Sequence, residues 1–213
     1  MLDRGLLSMG KNSRFLFNLI APIYGLFYKM QKKRYGMVID KVTDELNLSL
    51  FGRVLDVGCG TGALCSAFYE KGLSVTGIDT AEKMLMIAKK QPENKAINFF
   101  QANVLNQLPF ESKSFDISIA SYVAHGLQKN ERNQMYAEMS RVTKSKVIIY
   151  DYNQKRSLLT SIIEWLERGD YFRFIKEAEV EMKNCASEMN ECFSEVKVVD
   201  VDSKAAWYIC TPI

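Results

Sequence analysis

Between residues 53 and 150 two hydrophobic rhythms alternate along the chain. Arg53–Val57 (R-V-L-D-V), Ser74–Asp79 (S-V-T-G-I-D), Ile97–Gln101, Phe115–Ser121 (F-D-I-S-I-A-S) and Lys146–Tyr150 (K-V-I-I-Y) are short, mostly apolar runs, which predicts five strands. Gly62–Lys71, Ala81–Lys90 and Glu131–Val142 carry apolar residues at three- and four-residue intervals, as in Met84, Leu85, Ile87 and Ala88, which predicts helices. Strands that alternate with helices of this length pair in parallel, with helices on both faces of the sheet.

The rhythm breaks at the end of the chain. Glu195–Val201 and Ala206–Cys210 read as strands separated only by Asp202, Ser203, Lys204 and Ala205, too little chain for a crossover helix. They are expected to pair antiparallel, as a hairpin closing a mostly parallel sheet. Two helical regions lie outside this pattern. Val38, Ile39, Val42 and Leu46 mark a helix in residues 1–50, read as an N-terminal cover; Met182, Cys185, Ala186 and Met189 mark another in an insertion at about 153–192. Residues 51–213 are read as the main domain carrying that insertion.

Composition narrows the function classes. A chain of 213 residues that is 47% hydrophobic can bury a full core, and a formal charge of +3 gives nucleic-acid binding little support. Five cysteines without a C-x-x-C pair, beside one histidine, argue against a metal site and for reduced thiols in the cytoplasm. The apolar stretch from Phe15 to Tyr28 is interrupted by Pro22 and Gly25 and is too short to span a bilayer, and no targeting segment is expected. Oligomeric state is not legible.

The chemistry gathers where the first strand ends, in Val54-Leu55-Asp56-Val57-Gly58-Cys59-Gly60-Thr61-Gly62. Three glycines in five residues imply a tight bend or a backbone that lies against a ligand. Gly58-x-Gly60-x-x-Ala63, with Asp79 further on, fits a dinucleotide fingerprint. Asp56, however, sets a carboxylate beside the loop, and an ammonium group is a better partner for it than a diphosphate. S-adenosylmethionine carries that ammonium. The C-terminal hairpin favours the same cofactor, as does Gln101-Ala102-Asn103-Val104 with Leu108-Pro109-Phe110, a loop able to hold a purine.

Together with Gly77-Ile78-Asp79 and Ser114-Phe115-Asp116, these residues resemble the class I S-adenosylmethionine-dependent methyltransferases, in the small-molecule branch similar to the ubiquinone/menaquinone C-methyltransferases. The resemblance implies an α/β fold: a Rossmann-like, doubly wound, seven-stranded and mostly parallel sheet with an antiparallel last strand. It places Asp56, Gly58 and Gly60 around the methionine part of the cofactor, with Cys59 between them counted as cofactor-binding, Asp79 on the ribose hydroxyls, Thr80 and Met84 beside the adenosine, and Asn103 and Val104 at the adenine. Ser121, at the end of the fourth strand, is assigned to the same cofactor. The family usually has an aspartate where this chain has Asn103.

For the methyl acceptor, His125 follows the fourth strand and is the candidate base, while Tyr152, after the fifth, is a candidate to orient the substrate. Phe15 to Tyr24 resembles the N-terminal segment that covers the site in the quinone-methylating branch, which brings in Tyr24 and Tyr28. The aromatic cluster Phe15, Phe17, Tyr24, Phe27 and Tyr28 is expected to close over the methyl-donor pocket. Lys32, Lys33 and Arg34 read as its solvated face, with an RNA or membrane surface as the other reading. The fourth strand ends Ala120-Ser121-Tyr122, without the Asn/Asp-Pro-Pro-Tyr/Phe pattern used on planar amino groups, and no Pro-Cys pair exists. The expected acceptor is a small, partly apolar molecule. RNA or protein methylation, or an idle cofactor-binding module acting through a partner, are the alternatives.

Overall fold

Val54, Leu55 and Val57 are apolar on both faces of the first strand, so that strand needs cover on both sides. In the computed structural model, which describes residues 9–43, 45–153, 187–202 and 205–213, it has that cover. β1 (Arg53–Val57), β2 (Ser74–Asp79), β3 (Asn98–Gln101), β4 (Phe115–Ser121), β5 (Thr143–Tyr152), β6 (Glu195–Asp200) and β7 (Ala205–Thr211) form one sheet of order β3-β2-β1-β4-β5-β7-β6. The β1–β2, β2–β3, β1–β4 and β4–β5 pairs are parallel; β7 runs antiparallel to β5 and β6 antiparallel to β7. The chain order reverses between β1 and β4, which makes the carboxyl edge there the place for a ligand.

The hairpin is inserted in an order set by burial. Every residue from Ala205 to Cys210 is buried, whereas β6 has only exposed and half-buried positions. The all-apolar strand takes the interior place against β5, and β6, with Glu195, Lys197 and Asp200, becomes the polar edge. Interior burial of side chains the size of Tyr208 or Ile209 stabilises by about 1.5–3 kcal/mol each.

α3 (Ala63–Glu70) and α4 (Glu82–Lys90) cover one end of the sheet and α5 (Lys129–Val142) the opposite face, where Met135, Tyr136 and Met139 pack on Leu55, Ile149 and Tyr208. α2 (Tyr28–Lys41) lies against α3, with Val38, Ile39 and Val42 in the same buried cluster as Val54, Phe68 and Trp207. This part of the region read as a cover is therefore a layer of the main core. α1 (Met9–Leu26) sits on α4 through Ala21, Ala81 and Met84, and Asn18 Oδ1 accepts a hydrogen bond from the Lys83 amide at 2.9 Å. Of the insertion expected at 153–192, residues 187–192 are helical and Met189 is buried; Met182, Cys185 and Ala186 lie outside the described residues.

Candidate active site

The glycine loop is tied down by its own amides. Gly58 and Cys59 N–H both donate to Ile78 O, at 2.8 and 2.9 Å, Gly60 N–H donates to Asp79 Oδ2 at 2.8 Å, and Gly62 N–H to Cys59 O at 2.9 Å. A diphosphate is held by loop amides turned outward; these four are spent inward, which counts against the dinucleotide reading. Gly58 has φ +71° and a Cβ there would lie 2.7 Å from Val123 Cγ2, so the turn requires glycine. At Gly60, φ +53°, a Cβ would meet nothing within 4 Å, and this is the open side of the loop.

Two carboxylates flank the loop. Asp56 is 1% exposed; its Oδ2 accepts the Cys65 thiol at 3.0 Å, while its buried Oδ1 has no partner. Burial pushes its pKa up to about 7, against the Cys65 hydrogen bond, and the charge of Asp79 adds to the rise. An orphaned buried carboxylate oxygen beside an open glycine is the environment an ammonium group satisfies. Asp79 Oδ1 accepts the Ala81 amide at 2.7 Å, and burial raises its pKa while the backbone bonds from Ala81 and Gly60 oppose the rise. It therefore holds the loop and the entry to α4 together. A carboxylate has about four acceptor sites, so acceptor capacity remains for a ribose diol. The donor set fits S-adenosylmethionine.

The other expected cofactor residues divide. Thr80 follows Asp79 at the strand end and is half-buried, its carbonyl accepting from Gln101 Nε2 at 3.0 Å. Asn103 Oδ1 accepts the Leu105 amide at 3.0 Å, so its side chain already shapes its own turn, with one oxygen lone pair and the NH2 group left over. Three side chains are buried. Cys59 Sγ packs with Cys65 against Gly77, Met84 is core between α4 and α1, and Val104 is buried under the sheet edge. Ser121 Oγ lies 3.2 Å from the hydroxyl of Tyr35, which reaches across from α2. Nothing in the sequence placed Tyr35 at this site; its pattern offered it only as part of a basic aromatic surface.

Beyond β4 the chain turns sharply. Tyr122 has φ +55°, uncommon for an aromatic residue, and its amide donates to Tyr150 O at 2.7 Å. The turn delivers His125 to Asp151 at the end of β5. His125 Nδ1 is 2.8 Å from Asp151 Oδ1, and the His125 amide donates to Asp151 Oδ2 at 3.2 Å. Asp151 is fully buried, and its Oδ1 also accepts the Tyr152 amide at 2.9 Å. A carboxylate there holds the proton on Nδ1 and so places the basic lone pair on Nε2. Tyr152 stands edge-on to the imidazole at 5.0 Å and to Tyr122 at 5.3 Å. Asp151 is a site residue that sequence reasoning passed over, although an acid at a strand's carboxyl end is the same signal that marked Asp79.

The N-terminal tyrosines are elsewhere. Tyr28 is buried between α2 and α3, its hydroxyl 3.4 Å from Asn94 Oδ1, so it packs the core and does not meet an acceptor. Tyr24 lies on the exposed side of α1, edge-on to Phe17 at 6.5 Å, and Phe15 and Phe27 are also exposed. The expected closure of this cluster over the donor pocket is not the arrangement found. Among the described residues no group of three or more His, Cys, Asp or Glu side chains could hold a metal ion, and no helix is long and apolar enough to cross a membrane.

Comparison with known proteins gives the same family. A methyltransferase domain family matches residues 54–146. An uncharacterised methyltransferase of Alkaliphilus oremlandii is 24% identical over 193 residues, covering 86% of each chain. A malonyl-[acyl-carrier protein] O-methyltransferase of Buchnera aphidicola is 30% identical over 128 residues, 60% of this chain but only 48% of its own length, so this chain spans about half of that relative. A crystal structure from Methanococcus maripaludis, assigned as an S-adenosylmethionine-dependent methyltransferase, superposes with TM-score 0.72 at 18% identity, over 91% of this chain and 92% of that one. With this sheet order, an acid at the end of β2 and the family match over residues 54–146, the chain carries a methyltransferase domain with the fold of the S-adenosylmethionine-dependent methyltransferases.

Proposed function

We propose that the protein methylates a small, partly apolar molecule at an oxygen or an acidic carbon, with His125 as general base. The His125–Asp151 pair carries this reading. S-adenosylmethionine, when bound, supplies an electrophilic methyl group on a positively charged sulfur. Asp56 and the open side of Gly60 hold its amino-acid end and Asp79 its ribose. His125 Nε2 takes the proton that the acceptor loses as its oxygen or carbon attacks the methyl carbon; Asp151 keeps the proton already on Nδ1 and offsets the imidazolium charge that develops. Amines and thiolates that are already deprotonated need no such pair, so the pair favours a hydroxyl or an activated C–H. The Buchnera relative, named an O-methyltransferase, supports oxygen. Tyr122 and Tyr152, packed round the imidazole, favour a flat or apolar acceptor over a peptide or a nucleic acid.

The test has two arms. Methyl-labelled cofactor incubated with cell extract, fractionated by size, should leave label in small molecules; label in RNA or protein, or none, contradicts the proposal. With an acceptor in hand, His125→Gln and Asp151→Asn should lower kcat by about 10²–10⁴-fold, as loss of general-base catalysis does. Affinity for S-adenosylhomocysteine by calorimetry should stay unchanged. Full turnover in His125→Gln would assign the residue to packing.

A further inference from the structure

α1 has two apolar faces, and among the described residues only one of them is packed. At 3.6 residues per turn, Ala21 and Gly25 face α4, and the outward arc opposite them is occupied by Phe15, Leu16, Leu19, Ile23 and Leu26, with Met30 one turn on in α2. These side chains are open to solvent: Leu26 is 83% exposed, Phe15 73% and Leu19 64%. A helix with its inner face already packed gains nothing within the fold from a continuous outer stripe of this size.

Charge says what the stripe meets. From Arg4 to Ile39 there is no Asp or Glu, but there are seven basic residues, in a protein whose net charge is +3. Lys32 is neutralised by Glu70 and Glu93, and Arg34 by Asp202. Arg14, Lys29 and Lys33 are exposed along the same helices and make no ion pair among the described residues. We propose that the outer face of α1, with the start of α2, is a docking surface for an anionic phospholipid bilayer. Side chains of Phe, Leu, Ile and Met would enter the boundary between headgroups and acyl chains, and the lysines would meet lipid phosphate, as an interfacial amphipathic helix does. Two other occupants fit less well. A second copy docking by the same face would bring two uncompensated basic clusters together, and a nucleic acid would leave the aliphatic stripe against phosphate.

The full-length protein is sedimented with vesicles of phosphatidylcholine and phosphatidylglycerol in equal parts, and with vesicles of phosphatidylcholine alone, at low and high salt. Wild type should bind the mixed vesicles, bind the neutral ones weakly, and release as salt rises. Leu19→Glu/Ile23→Glu and Lys29→Glu/Lys33→Glu should each reduce partitioning by at least about tenfold. Both should keep wild-type affinity for S-adenosylhomocysteine, which shows that the fold is intact. Failure of wild type to bind anionic vesicles overturns the proposal, and so does binding unchanged in both variants. A dimer in sedimentation velocity that Leu19→Glu/Ile23→Glu dissolves, without vesicle binding, assigns the face to a second copy. Retention by RNA without vesicle binding also overturns it.

Discussion

At the scale of single residues, Asp56 and Asp79 illustrate how the same side chain in the same loop acquires two physical characters. Asp79 is satisfied by two backbone amides, whereas Asp56 keeps a buried oxygen without a donor and has its pKa pushed up to about 7. A raised carboxyl pKa makes the folded protein the better proton binder. The burial cost is therefore absent below about pH 4, grows as pH rises, and is complete above about 7. Asp56→Asn should raise the thermal stability of the free protein at pH ~8, by up to about 4 kcal/mol for a shift of this size, and change it little at pH ~4. For binding the sign is opposite. The ammonium needs the ionised carboxylate, so affinity for S-adenosylhomocysteine should climb through pH ~6 to ~7 and level off above, with proton release in calorimetry below ~7. Affinity that is flat across that window would remove Asp56 from the ammonium site. Asp79→Ala should weaken the cofactor by about 1.5–3 kcal/mol, the value of hydrogen bonds to a charged acceptor. A folded variant with unchanged affinity would leave Asp79 as the clamp on Gly60 and Ala81 alone.

At the scale of elements, the parts that hold the site are tied by contacts far apart in the chain. Arg132 in α5 is buried, and its Nε and Nη2 donate to Glu188 at 2.7 and 3.0 Å, which pins the segment before β6 to the helix facing the sheet. Removing one partner of such a pair leaves a buried charge without its counter-charge, so Glu188→Ala should destabilise by about 3–5 kcal/mol in denaturant unfolding. Replacing both with apolar residues of similar volume should cost much less, and equal losses in the single and double variants would contradict this account. α1 and α2 should also differ in dynamics. α2 buries Tyr28, Val38 and Ile39, whereas α1, among the residues whose burial is described, fully buries only Ala21. Hydrogen exchange should show α2 amides protected near the level of global unfolding and α1 amides opening at much lower free energy. Equal protection would make α1 an integral layer.

At the scale of the molecule, the sheet order gathers the site from five strand ends. β1 brings Asp56, β2 brings Asp79, the turn after β3 brings Asn103, β4 delivers His125, and β5 supplies Asp151. No two of these neighbour each other in sequence, and the parallel registers are what align them along one edge. α2 flanks this edge, since Tyr35 reaches Ser121 while Val38 and Ile39 share a buried cluster with Trp207. Shortening the protein to begin at Val38 should therefore lower its thermal stability and its cofactor affinity together, because both Tyr28 and Tyr35 would be lost. A shortened chain with wild-type stability would show that α2 is separable from the core.

What the chain by itself determined was local: alternating strand and helix rhythms, a glycine loop next to an acid, a second acid at the end of β2, and a C-terminal hairpin. Each is written in neighbouring residues, because strand and helix periods and the φ of glycine are short-range properties. Those features carried the sheet, the family and the cofactor. Tertiary structure decided what depends on direction and on distant partners. It turned Cys59, Met84 and Val104 inward, buried Tyr28, and left the outer face of α1 in solvent. It also paired His125 with Asp151 across twenty-six residues and brought Tyr35 to Ser121 across eighty-six. The periodicity that marks a residue as apolar does not say which of two apolar faces finds a partner. That choice is made by packing, where the whole sheet competes for each helix.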